Sequence, residues 1–203
     1  AVLSEEAADD SDRLTADRVW IIDPLDGTQE YSEFDRADWA VHIALWERKD
    51  ADGKPSDEGS ITQAAVALPA YNMTLSTHQL PQTPKPHDGK PRLVVSRTRA
   101  TREAVMVAEA LDCDVARLGS AGAKTMAVVL GEVDIYVHAG GMYQWDSAAP
   151  IAVAAAAGLF TSRIDGTPLI YNRRDAWLPD LVVCQQHLAQ QVIDALRAGR
   201  LGA

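Results

Sequence analysis

The nine residues Trp20-Ile21-Ile22-Asp23-Pro24-Leu25-Asp26-Gly27-Thr28 constrain this chain more than any other stretch. The apolar run from Arg18 to Ile22 is rich in β-branched residues and predicts a strand. Asp23-Pro24 stops its ladder, because proline has no N–H to donate and fixes its own φ. Leu25-Asp26-Gly27-Thr28 must then turn sharply, with Gly27 supplying the conformational freedom. Two carboxylates therefore converge beyond a strand end. A hard cation such as Mg²⁺ takes oxygen ligands, and Asp23, Asp26 and the Leu25 carbonyl offer such a set, with the Thr28 hydroxyl close by. Taken singly, Asp-Pro and Asp-Gly are ordinary turn dipeptides, so the case for a site rests on the complete run.

The remaining pattern predicts an antiparallel first half and an α/β second half. Strands are expected over Asp38–Trp46, Ile61–Leu68 and Met73–Thr77, the last two joined as a hairpin by Pro69-Ala70-Tyr71-Asn72. Residues 49–59 are charged and aperiodic and read as an exposed loop, and 80–91, with four prolines, reads as a connector. After that, strands over Arg92–Ser96, Val115–Leu118, Val133–Val137 and Asp180–Cys184 alternate with helices over Thr101–Leu111, Ala121–Leu130, Ser147–Ala157 and Leu188–Leu196. The expected fold class is α+β, a layered protein in which residues 1–91 carry the metal site and antiparallel sheet, residues 92–203 form the α/β part, and the two make one catalytic unit.

A formal charge of −10 argues against a nucleic-acid polymer as partner, since phosphate backbones are bound by neutralising Lys and Arg. A small phosphorylated ligand is compatible with that charge when metal ions supply positive charge locally. No apolar run approaches the length of a membrane span, and the two cysteines, Cys113 and Cys184, lack metal-ligand spacing and read as free thiols in a reducing cytoplasm. The chain opens on Ala1 and almost at once on the acidic pair Glu5-Glu6, which reads as an N-terminus shortened or processed.

Other residues carry two readings each. Asp146 in Trp145-Asp146-Ser147-Ala148-Ala149-Pro150 precedes an Ala-rich helix and reads as its N-cap or as a ligand mounted on it. Gly119-Ser120 opens a helix, either as an ordinary start or as an anion site for a substrate phosphate. Glu5-Glu6 alone is a solvated surface. His42, among Trp39, Val41, Ile43 and Leu45, reads as a packed histidine and is set aside, as is His138.

Together these motifs resemble the inositol monophosphatase superfamily of metal-dependent, lithium-sensitive phosphatases, whose signature is an apolar strand followed by D-P-[IL]-D-G-T. The resemblance implies a sugar-phosphatase-like fold, two or three Mg²⁺ ions held by Glu5, Asp23, the Leu25 carbonyl, Asp26 and Asp146 of the second signature W-D-x-A-A, and catalytic roles for Asp26 and Thr28, which orients the attacking water. Gln29-Glu30-Tyr31, Val94-Val95-Ser96-Arg97 and Gly119-Ser120-Ala121-Gly122-Ala123-Lys124 are similar to the CysQ-type branch, with Thr98 and Arg99 standing where Ser and His are usual. This implies substrate contacts from Gly27, Thr28, Ser96, Arg97, Gly119, Ser120, Lys124 and Asp146. The implied reaction is removal of the 3′-phosphate of 3′-phosphoadenosine 5′-phosphate, nucleotide recycling in sulfate assimilation. Inositol monophosphate and fructose 1,6-bisphosphate are alternative substrates, and a catalytically silent metal- or nucleotide-binding module is the alternative of another class. A homodimer is compatible with the pattern. Full-length relatives begin with a helical segment carrying a D-x-x-T-x-x-D-like motif, and nothing before Glu5 supplies it.

Overall fold

The computed structural model describes residues 1–50, 52–80 and 89–201. Among them, one five-stranded sheet takes β1 (Val2–Ser4), β2 (Arg18–Asp26), β3 (Ala40–Lys49), β4 (Pro55–Leu68) and β5 (Met73–Ser76) in chain order. A second, of order β7-β6-β8-β10-β9, uses β6 (Arg92–Ser96), β7 (Asp114–Leu118), β8 (Ile135–Tyr143), β9 (Phe160–Ser162) and β10 (Trp177–Cys184). The helices are α1 (Thr28–Ser32), α2 (Arg102–Ala110), α3 (Ala121–Val129), α4 (Gln144–Ala156) and α5 (Ala189–Leu201).

Helices α3 and α4 lie between the sheets. Val19, Ile21 and Val66 of the first sheet, Met126 and Val128 of α3, Ala148 and Val153 of α4, and Val94 and Val183 of the second sheet share one core. On the far face of the second sheet, α2 and α5 close a separate core containing Leu93, Val95, Val107, Ile135, Val182, Val192 and Leu196. Alternate residues of β6 thus serve different cores, which is why Leu93-Val94-Val95 reads as a continuous apolar run. The first sheet has helices on one face only, and Trp20 and Ile43 stand about two-fifths exposed on the other. No described helix is long and apolar enough to cross a membrane, and both cysteines are free, Cys184 buried and Cys113 half-buried.

The layered mixed fold is as expected, with three local differences. The first sheet is not wholly antiparallel: β1 pairs parallel with β2, Ser4 opposite Ile22, so Glu5 leaves its strand beside Asp23. The predicted loop over residues 49–59 is shorter, because β4 begins at Pro55 opposite Lys49. The backbone ladder continues there beneath exposed charged side chains, and the Trp46 ring covers Gly59, where a Cβ would collide with it. Strand β8 starts two residues later than the strand expected over Val133–Val137 and runs on through Gly140-Gly141, both at positive φ, to Tyr143. The proline-rich connector falls mostly outside the described residues.

One buried cation fastens the N-terminal segment to the helix that carries Asp146. Arg13, 1% exposed, donates to Asn172 Oδ1 (2.9 Å) and to the carbonyls of Arg173 (3.1 Å) and Arg174 (3.3 Å). Gln144, at the start of α4, donates to the Asp175 carbonyl of the same loop at 2.8 Å. Replacing the guanidinium would leave the buried Asn172 Oδ1 and two partly buried carbonyls without this donor. Arg13→Leu should therefore lower stability by about 2–3 kcal/mol, read as a lower urea midpoint at unchanged slope. An unshifted midpoint would show that the loop is held by other contacts.

Candidate metal centre

Asp23, Asp26 and Asp146 come together from two strand-end positions and the first turn of α4, each offering an oxygen within 4.8 Å of the others. Strand β2 pairs regularly with β3 up to Asp23, opposite His42, and resumes at Asp26, opposite Ala40. The irregularity between them is the Pro24-Leu25 step, and it lets both carboxylates reach the α3–α4 layer. Asp23 Oδ1 accepts the Leu25 N–H at 3.0 Å, whereas Asp23 Oδ2 is buried without a hydrogen-bond partner. Asp146 accepts the Tyr143 N–H at 2.6 Å, so it caps its own helix and faces the centre at once. It does so as the third helical residue and not as the expected N-cap: α4 starts at Gln144, its N-cap is Tyr143, and the Asp146 carboxylate reaches back to the N-cap N–H.

Asp26 sits at the N-terminus of α3. Its oxygens accept the N–H groups of Gly122 (2.6 Å) and Ala121 (3.3 Å), where the helix dipole favours negative charge. His42, fully buried, places Nε2 3.3 Å from Asp26 Oδ2 and Nδ1 4.0 Å from Asp23 Oδ2 and 3.2 Å from the Trp145 carbonyl. A Cβ on Gly122 would collide with the His42 ring. Sequence reasoning set His42 aside as packed. It is packed, but between the two signature carboxylates, and only the β2–β3 register could have revealed that.

The electrostatics follow from crowding. Burial, then the charge of Asp26, pushes Asp23 up to about 6. Burial likewise pushes Asp146 up to about 7, with Asp26 and Asp23 adding to it. Burial pushes Asp26 up as well, but His42, the Gly122 N–H and Lys124 outweigh it and hold its carboxyl below the usual range. For His42 burial favours the neutral ring, and the two carboxylates overcome this and raise its pKa.

The other expected residues divide. Glu5 is exposed and stands outside the trio, yet its charge is felt at Asp23. Leu25 is half-buried in the turn, and Thr28 is exposed as the first residue of α1. Gly27, at φ 88°, leads into that helix where a Cβ would stand 2.9 Å from the Ser120 Cβ. Ser96 ends β6 opposite Leu118. Arg97 turns to Glu33 at 2.6 Å and to buried Glu30 at 3.2 Å, with about a quarter of its side chain exposed.

The structure does not present Gly119, Ser120 or Lys124 as an open anion site. Gly119 N–H is held by Asp38 at 2.5 Å, and Gly119 is pressed onto Glu30 where a Cβ would collide. Ser120 is buried and caps α3 through the Ala123 N–H at 2.9 Å. The anion at this helix terminus is the protein's own Asp26. Lys124, 2% exposed, donates to the Gly119 carbonyl and lies over the Tyr136 ring at 5.4 Å. Burial pulls its pKa down to about 8 against the pull of Asp26 and Glu30. A side chain so enclosed shapes the Gly119 turn and has no face for a second phosphate.

In the metal-free protein Asp23, Asp146 and His42 all hold protons more tightly folded than unfolded. The folded state then binds more protons between about pH 4 and pH 7, and stability is lost as pH rises through that window. Urea denaturation in chelator should show a fall on the order of a few kcal/mol from about pH 4.5 to about pH 7.5, flattened in Asp146→Asn. A rise over that range would contradict the crowding.

Comparison with known proteins gives a consistent result. The inositol monophosphatase family model matches residues 1–199. The chain is 50% identical over 199 residues to the 3′-phosphoadenosine 5′-phosphate phosphatase of Mycobacterium bovis, covering 97% of this chain and 73% of that protein. It is 31% identical over 172 residues to the 3′(2′),5′-bisphosphate nucleotidase CysQ of Escherichia coli, covering 79% and 65%. The crystal structure of inositol monophosphatase-II from Staphylococcus aureus superposes with a TM-score of 0.76 at 18% identity, over 98% of this chain and 77% of that one, a likeness of fold.

Proposed function

Because the chain belongs to the inositol monophosphatase family, we propose that it is a Mg²⁺-dependent phosphomonoesterase that removes the 3′-phosphate of 3′-phosphoadenosine 5′-phosphate. The observation that carries this reading is the trio Asp23, Asp26 and Asp146, three oxygen donors within 4.8 Å at the junction of the two sheets. The donor set fits a hard divalent cation: it is all oxygen, burial and then neighbouring carboxylates raise the pKa of two of its carboxyls, and Asp23 Oδ2 is buried without a partner. In this reading two or three Mg²⁺ ions are held by Glu5, Asp23, the Leu25 carbonyl, Asp26 and Asp146. Bound there, they supply charge that polarises phosphoryl oxygens and lowers the pKa of water.

The chain's own residues position the reaction. Asp26 is fixed by two helix N–H groups and His42, so one side of the site is preorganised. Asp146 stands on a capped helix that packs against both sheets. Thr28, two residues after Asp26, is assigned to orient the attacking water. Of Arg97 and Lys124, the two cations among the implied substrate contacts, Arg97 is the more open, about a quarter exposed and paired to Glu33 and Glu30, and guanidinium geometry suits bidentate phosphate contact.

Removing a carboxylate should act on turnover more than on folding. Asp23→Asn and Asp146→Asn should each lower kcat on the order of 10²–10³-fold at limiting Mg²⁺, with far-UV circular dichroism unchanged. Full turnover by either purified variant would overturn the assignment.

The residues before Asp146 bear on the substrate. His138 to Gln144 contains no carboxylate to accept polyol hydroxyls. Gln144 is itself buried, with Nε2 donating to the Asp175 carbonyl. Missing hydrogen-bond partners discriminate strongly between substrates, so kcat/KM for 3′-phosphoadenosine 5′-phosphate should exceed that for inositol 1-phosphate by about a hundredfold or more. Side-by-side steady-state assays check this, and a preference for inositol 1-phosphate would refute the nucleotide assignment while leaving the metal-dependent phosphatase.

A further inference from the structure

Three aromatic side chains gather at the edge of the metal centre. Tyr143 stacks on Trp145, centroids 4.5 Å apart and planes 11° from parallel, and meets Trp177 nearly at right angles, 85° at 5.3 Å. Strand pairing sets this up, because Trp177 stands opposite Tyr143 in the β8–β10 ladder. The glycine beside it completes the arrangement: the Trp177 ring lies over Gly141, where any Cβ would collide with it. Such a group is ordinarily buried, yet Tyr143 and Trp177 each keep 45% of their surface exposed. The corner is tied to the candidate centre through one bond, the Tyr143 N–H donated to Asp146 at 2.6 Å.

Resting on the nucleotide reading above, we infer that Tyr143 and Trp177, backed by Trp145, form the platform on which the substrate's purine base is held. Two open rings at right angles offer a planar ligand one face to stack on and one edge to abut. Base–aromatic stacking tolerates different bases and asks for no hydrogen-bond partner, in keeping with the exposed Gly140 of the same strand, which offers no side chain. An inositol ring, with no π-face, would gain nothing from it. The platform is a binding and positioning element and takes no part in proton or phosphoryl transfer.

Because the bond to Asp146 comes from the main chain, Tyr143→Ala removes the ring and leaves that bond in place. Calorimetric titration with AMP and with ribose 5-phosphate, both in Mg²⁺, separates base from phosphate binding. Tyr143→Ala and Trp177→Ala should each weaken AMP about tenfold and leave ribose 5-phosphate within about twofold, and Tyr143→Phe should retain wild-type AMP affinity. Equal affinity of the wild type for the two ligands, or equal loss of both in Tyr143→Ala, would overturn the platform. If 3′-phosphoadenosine 5′-phosphate is not hydrolysed but AMP affinity still falls selectively, the phosphatase reading fails and the platform stands.

Discussion

The placement of Asp26 at the N-terminus of α3 organises this molecule. A carboxylate there answers free N–H groups and the positive end of the helix dipole, an interaction worth up to about 2 kcal/mol when partly buried. Its larger effect is geometric. Asp26 belongs to the first sheet and α3 leads into the second, so the contact with Gly122 and Ala121 fixes how the two halves meet. His42 then fills the space between Asp26, Asp23 and the Trp145 carbonyl, drawing the start of α4 into the same junction.

That junction concentrates negative charge where burial makes it costly. Asp26 is compensated by the helix and by His42, while Asp23 and Asp146 are left to repel each other and Asp26. A protein rarely keeps three carboxylates so close without a positive group to bind. The uneven compensation is itself informative, since one member is locked by protein groups and the other two keep oxygen free for something else.

The sequence pointed to this carboxylate cluster because its members lie in compact motifs whose local chemistry is unusual. Asp-Pro-Leu-Asp-Gly-Thr interrupts a strand in one way, and Trp-Asp before an Ala-rich run starts a helix in one way. The strands over Arg92–Ser96 and Asp180–Cys184 were likewise visible as short apolar runs between helical patterns. What stayed hidden depends on contacts between distant segments. His42 is significant only through its register opposite Asp23, and β1 is too short to signal a parallel pair. Gly119-Ser120 read as a helix start open to an anion, and nothing local shows that Asp26 and Asp38 already take its N–H groups. The extent of β4 was obscured because charged side chains on an exposed ladder break hydrophobic periodicity without breaking backbone pairing.

The glycines at this junction carry a genetic consequence. Gly27 faces Ser120, Gly119 lies on Glu30, and Gly122 lies on His42, each with no room for one more carbon. Every missense change in a glycine codon adds at least that carbon, so none of the three codons has a silent neighbour among the amino acids. Alanine, normally the mildest replacement, would push on the partner half of the molecule. The seam between the sheets therefore leaves these three codons little room to absorb point mutation.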